Sequence, residues 1–557
     1  GAYQDSDELY RQHLDQNPKD AAAWHMRGYV AVQLKNIERA VEYISRAIAL
    51  KPNVYTMHVN LGSALAMLGQ FEQATKALQK AIELHPTGAE AHLALGNCLK
   101  AKGNPQDAEA AYLQALRYKP DWPEALEAAA VNAAKSSNPD KSLEYALQAL
   151  AHAPERLLSN KIAGNVYLRQ RKYELSLKHY EAALRSDPND AAANANLGLL
   201  LTRTAQYEES AAAYAKAVEL APNDAVAEHG LSLALLVLGR LSEGWPHFEA
   251  RLQREGHLLG SRPYSAPRIK QRPIYKHALA WADEGIGEQI LFASMIPEIV
   301  ADSTSLSVEC DARLAPLFQR SFSNLDVIPR HDPPHPKFNA PYDGQFCLGS
   351  AARWYRPNFE SFPRQPGYLV ADAHLTQVLR KNYQSNTRPT PLIGISWRTK
   401  AQTKFSPEKT LGLANWGPLL SVPGATFVNL QYGDCRTEIS ETERSLGVHI
   451  LSDSRIDSLK DLDSFASQVA AMDLVITISN ATAHMAGALN VPVWTMVPKG
   501  FGAMWHWFLD RDDSPWYPSM RLLRQTKQNE WGSVVDRASS MLADFVTQWR
   551  PAPSNDR

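Results

Sequence analysis

The sequence predicts an α-solenoid followed by an α/β region with two parallel-sheet lobes. Three observations carry the prediction. Proline recurs at residues 18, 52, 86, 120, 154, 188 and 222, always 34 residues apart, and a fixed period of that length marks stacked helical units. The period stops after Gly256. From His277 onward, short strand-forming runs alternate with helical ones, as in parallel sheets covered by helices.

The repeats come first. Gly28, Gly62, Gly96, Gly164 and Gly198 share one phase, with Ala130 taking it once. Ala40, Ala74 and Ala108 share a second, continued by Ser142, Ser176 and Ser210; Ala47, Ala81, Ala115, Ala149, Ala183 and Ala217 share a third. Small side chains at these phases let paired helices approach closely, and Ile44, Leu78, Tyr112, Tyr180 and Tyr214 fill the space between them. Each proline ends a second helix, since it lacks an N–H and its ring clashes with the preceding turn. The pattern closely resembles the tetratricopeptide repeat, a helix–turn–helix of 34 residues. Six full repeats start at residues 21, 55, 89, 123, 157 and 191, a degenerate seventh starts at 225, and residues 1–18 supply a leading helix. The resemblance implies a superhelix over residues 1–256 whose groove binds a peptide; a spacer or assembly arm is the plainer use.

Asn60, Asn97, Asn165 and Asn196 lie on first helices of their repeats, where asparagine is a poor interior residue. A carboxamide pairs with both N–H and C=O of an extended chain. In the similar O-GlcNAc transferases an asparagine ladder holds acceptor protein in this way. Here the four fall in two phases, 60 with 196 and 97 with 165, and solvated asparagines are the alternative.

Residues 257–275 follow as a linker or an extended wrap, with SRPYSAPRIKQRPIY (261–275) rich in proline and arginine. A first lobe then spans residues 276–388. In it HALAWAD (277–283) reads as a strand, 288–300 as a helix and SLSVEC (305–310) as a strand, before a proline-rich segment at 331–338. A second lobe spans 389–550, with strands PLIGISW (391–397), TFVNLQY (426–432), LVITIS (474–479) and VPVWTMV (491–497) and a helix at HMAGALN (484–490).

Bulk properties narrow the function. Net charge is −1 and the pI is about 7.1, so no basic field points to nucleic acid. Cys98, Cys310, Cys347 and Cys435 form no CxxC pair, which suits a reducing compartment and no zinc site. No apolar run reaches the roughly 20 residues that span a bilayer, and the polar start GAYQDSDELY does not read as a signal peptide. A cytoplasmic protein is expected.

Four ordered stretches in the second half carry a resemblance: WADEGIGEQILFASMIPEI, GISWRTK, AMDLVITISNATAHMAGALNVPVW and FLDRDDSPWYPSMRLLRQ. Together they resemble heptosyltransferase-like GT-B glycosyltransferases, over about residues 270–535. They are also similar to bacterial proteins that join tetratricopeptide repeats to such a domain. The resemblance implies a GT-B fold of two Rossmann-like lobes with the cleft at the strand C-termini.

The site residues follow. Glu288 stands at a helix N-terminus, where a carboxylate caps the free amides. The resemblance also offers it as the base that deprotonates an acceptor hydroxyl, with Asp283 and Glu284 as competitors. Arg398 and Lys400 follow a strand, where cations would meet the leaving phosphate without a metal. Ser479, Asn480, Thr482 and His484 form a turn into a helix, a place for an anion, a buried structural histidine being the alternative for His484; the family commonly has Asp-Thr at 479–480. Gln431, Tyr432 and Asp434 end another strand, near the expected nucleobase or ribose. Gly285 and Gly287 complete the nucleotide-sugar contacts, and Trp505 is offered as a sugar-stacking ring, core packing being its alternative. No acidic pair suggests a metal. The implied activity is transfer of a sugar from a nucleotide donor, a CMP-nonulosonic acid or a UDP-sugar, to Ser or Thr of a protein recruited by the repeats. The resemblance suggests flagellin. A glycan or lipid-linked acceptor, or a non-catalytic adaptor, are the rivals.

Overall fold

A computed structural model of the chain describes residues 2–253, 266–272, 276–283, 285–331, 333, 335–364, 366–384, 389–399 and 410–551. By compactness it divides into two units, Gly1–Leu200 and Leu201–Arg557.

The first unit opens with α1 (Ala2–Gln16) and continues as antiparallel pairs: α2 (Ala21–Gln33) with α3 (Ile37–Leu50), α4 (Tyr55–Met67) with α5 (Phe71–Leu84), α6 (Ala89–Lys102) with α7 (Pro105–Tyr118), α8 (Pro123–Lys135) with α9 (Pro139–His152), and α10 (Leu157–Arg169) with α11 (Tyr173–Ser186). α12 (Ala191–Arg203) follows. The first helices begin on the residues that the proline period marks. The glycine phase is a point of helix contact: a Cβ on Gly96 would come within 2.5 Å of the Tyr112 ring, and one on Gly164 within 2.6 Å of the Tyr180 ring. Where serine replaces alanine, its hydroxyl is satisfied inside the pair: Ser142 Oγ donates to Ala130 O at 2.8 Å and Ser176 Oγ to Gly164 O at 2.9 Å.

Two further periodic devices escaped the sequence reading. The residue closing each first helix is left-handed at Lys35, Gly69, Gly103, Ser137, Arg171, Ala205 and Gly239. The fourth residue of many repeats also reaches back to the turn. Trp24 Nε1, His58 Nε2, His92 Nε2, Asn160 Nδ2 and Asn194 Nδ2 lie 2.7–3.2 Å from the carbonyls of Pro18, Pro52, Pro86, Pro154 and Pro188.

The second unit contains α13 (Tyr207–Leu220), α14 (Ala225–Val237), α15 (Leu241–Phe248) and two parallel sheets. The unit boundary falls at residue 200, before the periodicity ends, because the last helices pack with the α/β region. Trp245 Nε1 donates to Arg356 O at 2.7 Å, and its ring meets Trp505 edge-on at 5.3 Å.

The first sheet holds β1 (His277–Trp281), β2 (Ser305–Cys310), β3 (Asp326–Pro329) and β4 (Gly344–Cys347) in the order β3-β2-β1-β4. Part of the expected wrap is seen at its edge, where Ile269 N donates to Gln345 O and Gln345 N to Pro267 O, both at 2.9 Å. The second holds β5 (Leu392–Ser396), β6 (Thr426–Asn429), β7 (Ile450–Leu451), β8 (Leu474–Ile478), β9 (Val493–Val497) and β10 (Met520–Arg524) in the order β10-β9-β8-β5-β6-β7. The strand order therefore reverses between β5 and β8, and between β1 and β4. Ligands in open parallel sheets bind outside such reversals, at the strand C-termini. The helix expected at 288–300 is two helices, α16 (Ile286–Ala293) and α17 (Ile296–Asp302), with Pro297 in the first turn of the second. No helix among the described residues is long and apolar enough to cross a membrane.

Candidate functional site

The site builds around the β5/β8 reversal. β8 ends at Ile478, Ser479 and Asn480 follow, and α18 (Ala481–Ala488) begins. Asn480 is its N-cap: the side-chain oxygen accepts from Thr482 N at 3.0 Å and Ala483 N at 3.4 Å. Its Nδ2 donates across the reversal to Ser396 Oγ at 2.9 Å, and Thr482 Oγ1 lies 3.4 Å from the same hydroxyl. The amides expected to meet a phosphate are thus capped by this chain's own carboxamide. Asn480 does here what an anion does at a helix N-terminus.

Ser479 is buried and accepts from Trp507 Nε1 at 2.7 Å. His484 is buried too: its Nδ1 lies 2.9 Å from Tyr517 Oη, and its ring stacks on Trp507 at 5.0 Å. The other edge of the imidazole faces α16, where a Cβ on Gly287 would approach Cδ2 to 2.8 Å. This contact brings the glycine turn of the first sheet to the reversal of the second.

On α16 Glu288 is half-buried in the first turn. Its Oε2 lies 3.3 Å from the position of a Cβ on Gly285, the N-cap, so the carboxylate folds back toward the helix start. Asp283 is not a free carboxylate. It is buried in an ion pair with Arg251 at 2.9 Å and accepts from Gly349 N at 2.9 Å. Burial is the largest influence on Arg251 and works against its charge, but Asp283, Cys347 and Glu249 together outweigh it and the guanidinium pKa is raised. Burial, then the neighbouring Asp283, pushes the Cys347 thiol well above its usual range. Glu284 lies outside the described residues.

Arg398 follows β5. Its Nη2 donates to Asp434 O at 2.6 Å, and its Nε lies 3.3 Å from Glu438 Oε2. Lys400 lies outside the described residues. Gln431 is buried, and its Oε1 accepts from Trp397 N and Arg398 N at 2.9 Å each. It fixes the end of β5 and does not present its amide to a nucleobase. Tyr432 is half-buried beside it. Asp434 is exposed and paired with Arg436 at 2.9 Å, which lowers its pKa to about 2. A groove of about 820 Å³ opens here, lined by Gln431, Asp434, Glu443, Asp453, Ser458 and Gln468 among others.

Trp505 takes the alternative use. It is 5% exposed and is ringed by Trp245, Phe248, Phe292 and Trp516. No face remains for a sugar, because the last helices of the repeat array cover it.

Two profiles described as tetratricopeptide repeat match the chain, one over residues 1–54 and 163–225 and the other over 65–131. The N-terminal helical array is built of tetratricopeptide repeats. Protein FlbA of Caulobacter vibrioides is 32% identical over 337 residues, covering 56% of this chain and 54% of that protein. The chain thus spans about half the length of the curated relative it matches. Solved structures that it resembles include a chain of an APC/C hetero-tetramer (18% identity, 42% of this chain and 46% of that one, TM-score 0.38). Another is YrrB, described as a TPR protein with an unusual peptide-binding site (21% identity, 34% of this chain and 97% of that one, TM-score 0.30).

Within the repeats the asparagines do not form one ladder. Asn60 Nδ2 donates to His25 Nε2 at 2.8 Å. Asn97 Oδ1 accepts from Tyr112 Oη at 2.9 Å, and Asn165 Oδ1 from Tyr180 Oη at 2.6 Å. Asn196 is half-buried on α12. Sequence reasoning missed Ser396, Trp507 and Tyr517, the partners that hold Asn480, Ser479 and His484. Ser396 carried a signal, being a small hydroxyl at the end of an apolar strand.

Proposed function

We propose that this chain is a nucleotide-sugar-dependent protein O-glycosyltransferase of GT-B build, whose repeats recruit a protein acceptor. One observation carries the reading most: Gly287 against His484 brings the glycine turn, with Glu288, to the β5/β8 reversal that Arg398 borders. An acceptor hydroxyl entering beside α16 would give its proton to Glu288 as it attacks the anomeric carbon. Arg398, with Lys400, would balance the charge growing on the leaving phosphate. The resemblance of the four ordered stretches extends this to flagellin Ser or Thr as acceptor and to a nonulosonic acid from a CMP donor.

Co-expression with candidate acceptors, read by intact mass, tests the proposal. A gain of one or more sugar residues on an acceptor, lost in Arg398→Ala, is expected. A second reading, a non-catalytic adaptor, is favoured by the internal bonding of Asn480, Gln431 and Ser479. It wins if an acceptor binds the repeats and never gains mass.

A further inference from the structure

A cavity of about 370 Å³ lies beside α17, walled by Ser294, Glu298, Arg356, Phe362, Tyr368 and Trp516. Three prolines, Pro297, Pro363 and Pro515, line it as well. Pro297 is exposed and the other two are half-buried, whereas Arg356, Phe362 and Trp516 are buried. The cavity thus has a rigid apolar rim and a closed floor. Ligand pockets run from about 300 to 1,000 Å³, and the lower end of that range suits a single ring better than a chain. The cavity stands apart from the site at the β5/β8 reversal. Gly285 caps the start of α16 and Ser294 its end, and the 8 residues of that helix separate the two by roughly 12 Å at about 1.5 Å each.

Three polar atoms set the chemistry. Ser294 Oγ, Arg356 Nε and Trp516 Nε1 are buried and, among the described residues, have no hydrogen-bond partner. The two nitrogens can only donate. A buried donor left unmatched is costly, and packing alone does not explain three unmatched groups around one cavity. Charge, by contrast, is already balanced. Arg356 Nη1 donates to Glu298 Oε1 at 3.0 Å and Nη2 to Oε2 at 2.5 Å, so the pair attracts neither a cation nor an anion strongly. The Glu298 side chain is 37% exposed and keeps lone pairs for a further donor. A fitting ligand is therefore neutral. It brings a carbonyl for the two N–H groups, a small apolar group for the prolines, and a hydroxyl for Glu298.

We propose that this cavity binds a neutral sugar ring carrying an acetamido group. The acetamido carbonyl accepts from Arg356 Nε and Trp516 Nε1, and its N–H donates to Ser294 Oγ. The methyl group packs on Phe362, Pro363 and Pro515, and a ring hydroxyl donates to Glu298. Binding here does not depend on the transferase reading; a chain without that activity would carry the site equally.

The test uses the full chain with no nucleotide or acceptor present, and reads binding by saturation-transfer NMR. The probes are the methyl glycosides of N-acetylglucosamine, N-acetylgalactosamine and glucose, with N-acetylglycine amide as the acetamido group without a sugar. At least one acetamido glycoside should bind with roughly millimolar affinity, its acetyl methyl taking up the most saturation, and the other two probes should bind more weakly. Ser294→Ala and Trp516→Phe should each weaken binding by roughly 2–10-fold, the worth of one hydrogen bond. Ser294→Ala removes a hydroxyl without a partner, so its melting temperature should not fall. Saturating CMP or UDP should leave the signals unchanged. A solvent-filled cavity only, seen as no saturation at about 20 mM glycoside, overturns the proposal. So does binding of the glucoside or of the amide as tight as that of the acetamido glycosides, full affinity in both folded variants, or displacement by the nucleotides. Glycosides that bind while no acceptor ever gains mass would sink the transferase reading and leave this site standing.

Discussion

Gly287 lies against the imidazole of His484, so close that a Cβ would come within 2.8 Å of Cδ2. The ring has no room to retreat, since it stacks on Trp507 and bonds Tyr517 Oη. Gly287→Ala should therefore destabilise the chain by about 1–3 kcal/mol, although alanine is the better helix former. Gly285→Ala, whose Cβ would meet only Glu288 Oε2 at 3.3 Å, should cost less. Thermal melting of the two variants checks the order.

Glu288→Gln separates two roles. As the base, Glu288 is needed for proton removal, and single-turnover transfer should fall roughly 10²–10⁴-fold with donor affinity within a few-fold. As a cap alone, its loss should cost about 1 kcal/mol of stability or less and spare the rate. Asp283→Asn should behave differently from both. It removes the nearer, buried charge partner of Arg251 and leaves Glu249 at 3.4 Å, and stability should drop by about 3–5 kcal/mol.

Arg398→Ala should weaken binding of nucleoside diphosphates and CMP and abolish turnover, while leaving partner binding to the repeats unchanged. Calorimetry reads the first effect and anisotropy the last. Unchanged nucleotide affinity would show that the contacts to Asp434 O and Glu438 are its whole role.

Lys35 and Ser137 are exposed and adopt φ of 58° and 57°, where a Cβ costs about 1–2 kcal/mol. Glycine already fills the same position at Gly69, Gly103 and Gly239. Lys35→Gly and Ser137→Gly should each raise stability by up to about 1 kcal/mol, the entropy of the unfolded glycine offsetting part of the gain. Chemical denaturation followed by circular dichroism measures it.

Acid should weaken the repeats before it reaches the carboxylate range. Burial lowers the pKa of His25 and of His179, and His25 Nε2 accepts from Asn60. Above about pH 6.5 both folded and unfolded forms are neutral. As pH falls below that value the unfolded chain takes up protons that the folded chain resists, so stability is lost down to the depressed folded pKa. Asn60→Asp should reverse the sign, because a carboxylate accepts from a protonated ring. Denaturation midpoints at pH 7.5 and 5.5 would show both effects.

Legibility in the sequence followed physical cause. The repeats were readable because every unit buries the same small residues against the same large ones. Their left-handed turn was not, since glycine fills it in only some repeats. Strands β1, β2, β5, β6, β8 and β9 announced themselves as apolar runs. DVIP and GQFC are short and broken by proline or glycine, and stayed hidden. The break between α16 and α17 was written in Pro297. At the site, position along the strands was readable and partnership was not. Gln431 looked like a ligand contact because Trp397 and Arg398, whose amides it holds, are far from it in sequence. For Trp505 core packing was one of two uses in view, but its cover, Trp245, is more distant still and could not be named.

The bond from the fourth residue of a repeat to the proline carbonyl six residues earlier lies wholly within the junction. Duplicating or deleting 34 residues carries that bond along intact. Such an array can lengthen or shorten in evolution by whole units, and its reach along a partner can change while the α/β region keeps its sequence.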